Sequence, residues 1–320
     1  MSAKLFMKNS QRMLVKIVRE ICAEMNIELE CYSFDWILRM TKNGKTAHIF
    51  GYHFENNSAT TQLICTDKCA TSELLISTQI PAIEHIFFSS PENFQYLGVE
   101  GNWQRLCDLL RQHGRLVVKP NEGTGGNDVF QVCNNAELEA AVNAVFVHSR
   151  SMAVCPYYEI EREYRVIVLN EKVMLIYSKD IPALLGDGSS TLRQLILGQA
   201  TLAGSSEILD SLDEEKLQSV PASGDKIPLG WKHNLGQGAC PDVIEDPDLK
   251  ATLSKLALKA ALVLNAKFAS VDIIRTEGDY RVLEVNSGVM MENFAAKNEN
   301  NYAVAKSIYR QAVESLFGLK

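Results

Sequence analysis

The 320-residue chain has little that marks a membrane or nucleic-acid-binding protein. Its longest apolar run, AALVLNAKFA, falls far short of the ~20 residues that span a bilayer. Basic residues are outnumbered, with 32 Lys and Arg against 39 Asp and Glu. A net charge of −7 argues against a surface that neutralises a phosphate backbone. We therefore expect neither a membrane nor a nucleic acid as a partner.

Signals for export and for cysteine-based sites are also missing. The N-terminal sequence MSAKLFMKNSQRMLVKIV carries basic residues but no continuous apolar stretch followed by a small-residue cleavage site. The eight cysteines are scattered, without a CxxC pair or a nearby histidine at zinc spacing. These patterns favour reduced thiols in a cytoplasmic protein over a disulfide framework or a zinc site.

Two common phosphate-binding motifs are absent, since the sequence has neither GxxxxGK[ST] nor a GxGxxG that opens a helix. A different glycine-rich passage, VVKPNEGTGGNDV, places Lys119 at the end of a predicted strand and continues into a loop. Glycines let backbone N–H groups curl around a polyanion, and lysine adds a point charge for phosphate oxygens. The passage indicates either a phosphate cover or an ordinary hairpin turn.

The length is about two to three times a usual domain of ~100–150 residues, which predicts two or three subdomains. Residues 1–65 read as a small α/β lobe, with an amphipathic helix over 10–25 and strands around a turn at Asn43 and Gly44. Residues 66–154 alternate strands and helices, with Thr66 or Asp67 capping the first helix. Residues 155–320 are strand-rich. The fold class is α/β, built from α+β subdomains.

Residues 186–246 are rich in Gly, Ser and Pro, with a short helix over 191–197 and a solvated acidic helix face at 213–215. Such long connections are usually functional loops. We expect this stretch to be mobile without ligand and to close over the site as a lid. The alternative is a static excursion packed on the surface.

Three hard ligands lie on two predicted strands near the C-terminus. Asp272 occurs in SVDII, and Glu284 and Asn286 occur in LEVN. A three-residue loop at 277–279 would place Asp272 opposite Glu284, and period-two alternation puts Glu284 and Asn286 on one face. Two carboxylates and an amide oxygen suit magnesium held against phosphates. Two solvated surface acids are the other interpretation.

Together these passages resemble the ATP-grasp ligase superfamily, in the same order over about residues 66–286. The TDK at 66–68 is similar to the helix start whose lysine binds ATP phosphates, and VVKPNEGTGGNDV to the strand and glycine loop with the second lysine. The run CPYYEIEREYRVIVLNEKV resembles the adenine hinge, with the ribose-binding acid at Glu163 and a phosphate-side arginine at Arg165. GDGSSTLRQLI and KHNLGQGACPDV resemble most closely cyanophycin synthetases and the ligases that add glutamate to a ribosomal protein.

The resemblance implies an ATP-grasp fold, in which a small N-terminal α/β lobe accompanies two α+β subdomains that clasp ATP. It also implies ATP and Mg²⁺ as cofactors, with two metal ions and with Mn²⁺ able to substitute. The residues that it assigns to ATP are Lys68, Lys119, Gly123, Thr124, Gly125, Gly126, Tyr157, Glu159, Glu163 and Lys179. The residues that it assigns to the phosphoryl-transfer side are Arg165, Lys232 and Asn234, and those that it assigns to the metal are Asp272, Glu284 and Asn286.

The chain also departs from the family pattern. Cys155 and Pro156 stand where many relatives have Val-Glu, and because proline has no N–H the backbone from Tyr157 to Glu159 would contact adenine. Lys232 replaces a common arginine, which keeps the charge and loses the bidentate fork. Asn286 leads into SGVMMEN instead of a small residue and Pro-Gly. That stretch is expected to border the acceptor substrate.

The activity implied is an ATP-dependent carboxylate–amine ligase that forms an amide through an acylphosphate and releases ADP. The substrates would be small-molecule or peptide carboxylates and amines, and a homodimer is left open. Two other classes fit the same motifs: a phosphotransferase that stops at the phosphorylated product, and a non-catalytic nucleotide-binding protein. Retention of the lysines and the metal ligands argues against the last.

Overall fold

The computed structural model describes residues 12–90, 92, 103–123, 126–179, 183–198, 209, 212–228 and 241–319. Within these residues no helix is long and apolar enough to cross a membrane. The N-terminal lobe begins with helix α1 (Met13–Glu24) and continues with an antiparallel meander of β1 (Glu28–Tyr32), β2 (Ile37–Lys42), β3 (Lys45–Phe50) and β4 (His53–Phe54). Asn43 and Gly44 form the predicted turn with φ of 51° and 76°.

Two short helices follow, α2 (Ala59–Thr66) and α3 (Lys68–Ser77). Asp67 ends the first and caps the second, because its carboxylate accepts the Ala70 N–H at 2.8 Å. The capping prediction is confirmed for Asp67. Lys68 therefore lies in the first turn of α3.

The small sheet contains β5 (Ile86–Ser89), β6 (Leu116–Pro120), β7 (Phe130–Val132) and β8 (Ser151–Pro156), in the antiparallel order β5-β8-β6-β7. Helices α4 (Trp103–His113) and α5 (Asn135–His148) cover one face of it. Phe88, Val118 and Val154 point into that covered core. Residues one position away along the strands, among them Val117, Lys119 and Cys155, lie on the opposite face by alternation.

The large sheet contains β9 (Arg162–Leu169), β10 (Lys172–Lys179), β13 (Pro241–Val243), β14 (Phe268–Thr276) and β15 (Asp279–Asn286). Its order is β13-β10-β9-β14-β15, and all neighbouring strands are antiparallel. Helix α8 (Pro247–Val263) packs on one face, against Val166, Ala269, Val271 and Val285. The predicted turn between β9 and β10 is present, with Asn170 and Glu171 at positive φ.

The predicted glycine-rich stretch is partly ordered. Strands β11 (Ala183–Leu185) and β12 (Lys226–Pro228) form a two-stranded sheet, joined to helices α6 (Leu192–Gly198) and α7 (Glu214–Gln218). They share a small apolar core of Leu184, Leu192, Ile196 and Leu217. The described parts are therefore a small folded unit and not a plain loop, because the hairpin and both helices contribute to this core. The predicted closure over the site stays a prediction.

The C-terminal helices α9 (Glu292–Ala295) and α10 (Glu299–Phe317) return to the N-terminal lobe. Phe54, Phe268 and Tyr309 meet in one core, with Phe54 stacked on Tyr309 at 5.7 Å between ring centroids. The N-terminal lobe thus shares its core with β14 and α10. The predicted boundaries at residues 65 and 154 stay predictions.

Candidate active site between the two sheets

The hairpin of β14 and β15 pairs the residues that were predicted to face each other, but its loop and register differ from the prediction. Asp272 does lie opposite Glu284, but the loop contains two residues, because Thr276 already pairs with Asp279. The register shifts between Asp272 and Ile273, where Leu283 is an extra residue. A bulge inserts one residue and reverses the alternation beyond it. The prediction of a three-residue loop is therefore wrong, and the bulge turns Glu284 and Asn286 to the face that carries Asp272.

That face of the large sheet is polar in the middle and apolar at both ends. Ile167 and Phe268 are packed under the N-terminal lobe at one end. Ile274 meets Val117 and Cys155 of the small sheet at the other. Between them lie side chains from four strands, namely Glu163, Arg165, Lys179, Asp272, Glu284 and Asn286. The antiparallel register thus gathers six predicted site residues into one cleft.

Four of these side chains form a buried cluster with balanced charge. Arg165 donates from Nε and Nη2 to the two oxygens of Asp272, at 2.7 and 2.6 Å. Lys179 Nζ lies 3.0 Å from Asp272 Oδ2 and is also ion-paired with Glu163. Two cations and two carboxylates out of water are stabilised only as a complete set, since removal of one leaves an unpaired buried charge.

The cluster shifts the pKa of its acids in opposite directions. Burial would raise the pKa of Asp272, but Arg165 and Lys179 outweigh it and hold the pKa well below its usual range. Burial dominates at Glu163, where the pKa rises to about 7 against the attraction of Lys179. The opposite directions follow from the partners, because Asp272 has two cationic neighbours and Glu163 has one.

Glu284 and Asn286 are partly exposed to the cleft, whereas Asp272 is 0% exposed. Asn286 Nδ2 donates to Glu284 Oε1 at 3.1 Å, which directs Asn286 Oδ1 away from that carboxylate. Among the described residues no group of three or more His, Cys, Asp or Glu is arranged to hold a metal. The oxygen donors of Glu284 and Asn286 nevertheless fit a hard dication. Both carboxylate oxygens of Asp272 already contact Arg165 or Lys179, so Asp272 could bind a dication only through its remaining lone pairs.

The small-sheet side of the cleft carries the two predicted lysines. Lys68 Nζ donates to the carbonyls of Asn121 and Gly123, at 3.2 and 2.5 Å. Asn121 also accepts the Cys69 N–H at its Oδ1, 3.1 Å away, so the start of α3 is tied to the glycine-rich loop. Lys119 is 7% exposed at the end of β6. The helix start and the loop therefore form one unit.

The glycine loop is only partly described. A Cβ on Gly123 would lie 2.9 Å from the Pro120 Cβ, so the tight return after the lysine strand needs glycine there. Gly126 has a φ of 76°, which glycine adopts without strain. Thr124 and Gly125 lie outside the described residues, as do Lys232 and Asn234.

The two sides of the cleft meet at Lys68. The pKa of Lys68 is lowered, mainly because the side chain is buried. The negative charge of Glu284 opposes this decrease, and the positive charge of Lys119 adds to it. Lys68 thus lies within electrostatic range of both Lys119 and Glu284.

The predicted adenine hinge is held by an arginine that the sequence did not reveal. The Tyr157 N–H donates to the Arg115 carbonyl at 3.0 Å, and the Arg115 guanidinium lies 4.3 Å from the Tyr157 ring centroid. The same guanidinium donates to Glu159 at 3.0 Å. The backbone N–H of Tyr157 is therefore used within the protein, so the predicted adenine contact would have to come from the rest of the hinge.

A histidine of the N-terminal lobe reaches the stretch after Asn286. His53 forms an isolated bridge with Gly288, and its Nδ1 lies 3.3 Å from Ser287 Oγ. Burial lowers the pKa of His53. No motif around His53 indicates this contact, because 234 residues separate it from Ser287.

Comparison with known proteins relates part of the chain to a described family. Residues 229–310 match the family described as the RimK-like ATP-grasp domain. The matched range includes Asp272, Glu284 and Asn286. The C-terminal part of the chain is thus similar to a RimK-like ATP-grasp domain.

Among curated relatives, the bifunctional glutathione biosynthesis protein GshAB of Clostridium perfringens is 22% identical over 81% of this chain and 33% of its own. Cyanophycin synthetase of Trichormus variabilis is 24% identical over 81% of this chain and 29% of its own. The tetrahydromethanopterin:alpha-L-glutamate ligase of Methanocaldococcus jannaschii is 37% identical, over 23% of this chain and 24% of its own. The chain thus spans a third or less of the length of these relatives.

Two solved structures share the fold. D-alanine–D-alanine ligase from Bacillus anthracis superposes with a TM-score of 0.54 and 19% identity, covering 82% of this chain and 69% of its own. A bifunctional glutathione synthetase from Pasteurella multocida also gives a TM-score of 0.54, with 16% identity, and covers 92% of this chain and 44% of its own. The predicted ATP-grasp fold is confirmed.

Proposed function

We propose that the protein is an ATP-dependent carboxylate–amine ligase that forms an amide bond and releases ADP. The observation that carries the proposal is the cleft itself, where Lys68 lies within electrostatic range of Lys119 on its own side and of Glu284 on the other. The names of the relatives give the reaction class, since they include ligases and synthetases of amide-linked products.

The reaction places a carboxylate next to the γ-phosphate of ATP, forms an acylphosphate, and lets an amine displace the phosphate. Such chemistry depends mainly on positioning and on neutralising negative charge. Lys68 and Lys119 hold phosphate oxygens on the small-sheet side. Arg165 and Lys179, already fixed by Asp272, present positive charge from the floor of the cleft. Lys232 and Asn234 complete this side in the proposal.

Magnesium fits the Glu284 and Asn286 oxygens best, with Asp272 behind them. Bound there it would neutralise phosphate charge. The family binds ATP, and magnesium is typical of it, so we assign one or two ions to this edge of the large sheet. Glu163 is the proposed ribose contact, although its carboxyl is buried beside Lys179 and would have to be reached from the hinge side.

The acceptor substrate would lie beyond Asn286. Ser287 and Gly288 begin the stretch that departs from relatives, and His53 closes it from the N-terminal lobe. We propose amino acids or peptides as substrates.

The test is a screen of ADP release over pairs of amino acids and dipeptides, with mass spectrometry of the products. A ligase requires both substrates for ADP release and yields an amide. ADP release with one substrate and a stable phosphorylated product would indicate a phosphotransferase. ATP binding without turnover across the screen would favour a non-catalytic role.

A further inference from the structure

His85 is a buried histidine with no role so far. It lies immediately before β5 and is 6% exposed. Neither Nδ1 nor Nε2 has a hydrogen-bond partner among the described residues. A buried polar group left without a partner costs about 1–3 kcal/mol, so such a group commonly has a functional reason.

The register shows which face His85 occupies. Phe87 pairs with Ala153, and Ala153 pairs with Lys119, so these three side chains share the face that looks into the cleft. His85 precedes Phe87 by two residues and continues that face in the extended chain. It therefore lies on the same side of the small sheet as Lys119.

A second contact fixes His85 beside the other lysine. The His85 N–H donates to Ser72 Oγ at 3.1 Å. Ser72 is one helical turn after Lys68 on α3, so both project from one side of that helix. His85 thus lies between α3 and the small sheet, within electrostatic range of Lys68 and Lys119.

Electrostatics keep this imidazole neutral. Burial, followed by the positive charges of Lys119 and Lys68, holds the pKa of His85 well below its usual range. A weaker interaction with the Ile83 backbone opposes this decrease, but its geometry is not that of a hydrogen bond. A neutral imidazole carries one N–H donor and one acceptor. A second donor without a partner, Asn121 Nδ2, occurs in the same region. The described part of this cleft therefore has hydrogen-bond donors without a protein acceptor next to two lysines, and an anion would satisfy them.

We propose that His85 is a nucleotide-binding residue whose ring N–H donates to a phosphate oxygen of the triphosphate held by Lys68 and Lys119. This inference rests on the proposed ATP-dependent function. The phosphate end is favoured over the base because the apolar side chains of Ile83, Val117 and Ile274 cluster towards the hinge, whereas the lysines lie beside His85.

The experiment compares His85→Leu and His85→Gln with the wild type by titration calorimetry and thermal unfolding. The ligands are MgATP, magnesium tripolyphosphate and adenosine. We expect His85→Leu to weaken MgATP and tripolyphosphate binding about tenfold, the size of one hydrogen bond to a charged group, and to leave adenosine binding unchanged. Gln supplies an N–H donor and should recover part of the affinity. The ligand-free Leu variant should unfold at the same or a higher temperature, because an unpartnered polar group has been removed.

A matched control is His148→Leu at the exposed end of α5, which should change neither affinity nor unfolding temperature. Wild-type affinity in His85→Leu would overturn the inference and leave the proposed function intact. An equal loss of adenosine binding would move His85 to the base and also overturn it. A fall in both stability and affinity would assign His85 a structural role. If the wild type binds no MgATP while folded, the proposed function fails first.

Discussion

Arg165 and Asp272 face each other across β9 and β14 and share two hydrogen bonds of 2.7 and 2.6 Å. This fork fixes the guanidinium on the floor of the cleft before any ligand binds. A preorganised charge stabilises a developing anion without reorganisation during the reaction. Asp272 is thus a positioning residue for Arg165 and Lys179 as much as a candidate metal ligand.

Asp272→Asn should destabilise the fold. Arg165 and Lys179 would lose their shared counter-charge in a buried site, and breaking such a set typically costs about 3–5 kcal/mol. Urea denaturation would measure the loss in the free energy of unfolding. Asp279→Asn, on the exposed end of the same hairpin, is the control and should have almost no effect. Equal stability of the two variants would show that Asp272 does not balance the cluster.

Glu163→Gln should change how stability depends on pH. The folded-state pKa of Glu163 is about 7, above its ordinary value of 4.5, so the folded protein holds a proton that the unfolded chain has lost. This contribution is fully present below the unfolded pKa and disappears as pH rises through about 7. Wild type should therefore lose stability relative to Glu163→Gln between these two values. Parallel curves from urea denaturation across that range would contradict the assignment.

Lys119→Ala should abolish detectable ADP formation while the fold persists. A charged contact to the triphosphate is worth about 1.5–3 kcal/mol in binding, and its share in the transition state can be larger. Turnover and circular dichroism would be measured on the same sample. Lys172→Ala, an exposed lysine of β10, is the matched control. A near-normal rate would remove Lys119 from the phosphate site.

Glu284→Gln should raise the magnesium concentration needed for activity, because an amide replaces a charged ligand of a hard dication. Binding of Mn²⁺, followed by paramagnetic resonance, gives a readout that does not depend on turnover. Glu277→Gln in the exposed hairpin turn serves as the control. Unchanged metal affinity in Glu284→Gln would leave the strand pair with a structural role only.

Glu292→Ala should loosen the N-terminal lobe. The Glu292 carboxylate accepts the N–H groups of Met13 and Leu14, at 2.6 and 3.0 Å, and so caps α1 from α9. Loss of such a cap costs about 1–2 kcal/mol. Thermal unfolding should show the decrease, and hydrogen exchange should locate it in α1. Glu299→Ala, in the exposed first turn of α10, should lower stability less.

Much of the fold was predictable because its signals are local. Three examples depend only on neighbours within a few positions: the amphipathic pattern of α1, the turn residues Asn43 and Asn170, and the helix cap at Asp67. Helix α2 and strand β2 were not predicted, although Ser58 caps α2 by accepting the Thr61 N–H. The candidate site was predictable as a set because Lys68, Lys119, Asp272 and Glu284 occur in recognisable motifs.

By itself the sequence determined which residue types supply charge to the cleft and on which strands they lie. Only the tertiary structure decided how those charges are used. The bulge at Leu283, and not a longer turn, brings Glu284 opposite Asp272. Arg165 and Lys179 neutralise Asp272 because the β9–β10 hairpin aligns in register with β14, where Asp272 lies 107 residues after Arg165. The partnerless ring of His85 is likewise a property of packing, since burial and long-range contacts are set by the whole fold and leave no mark on the local pattern.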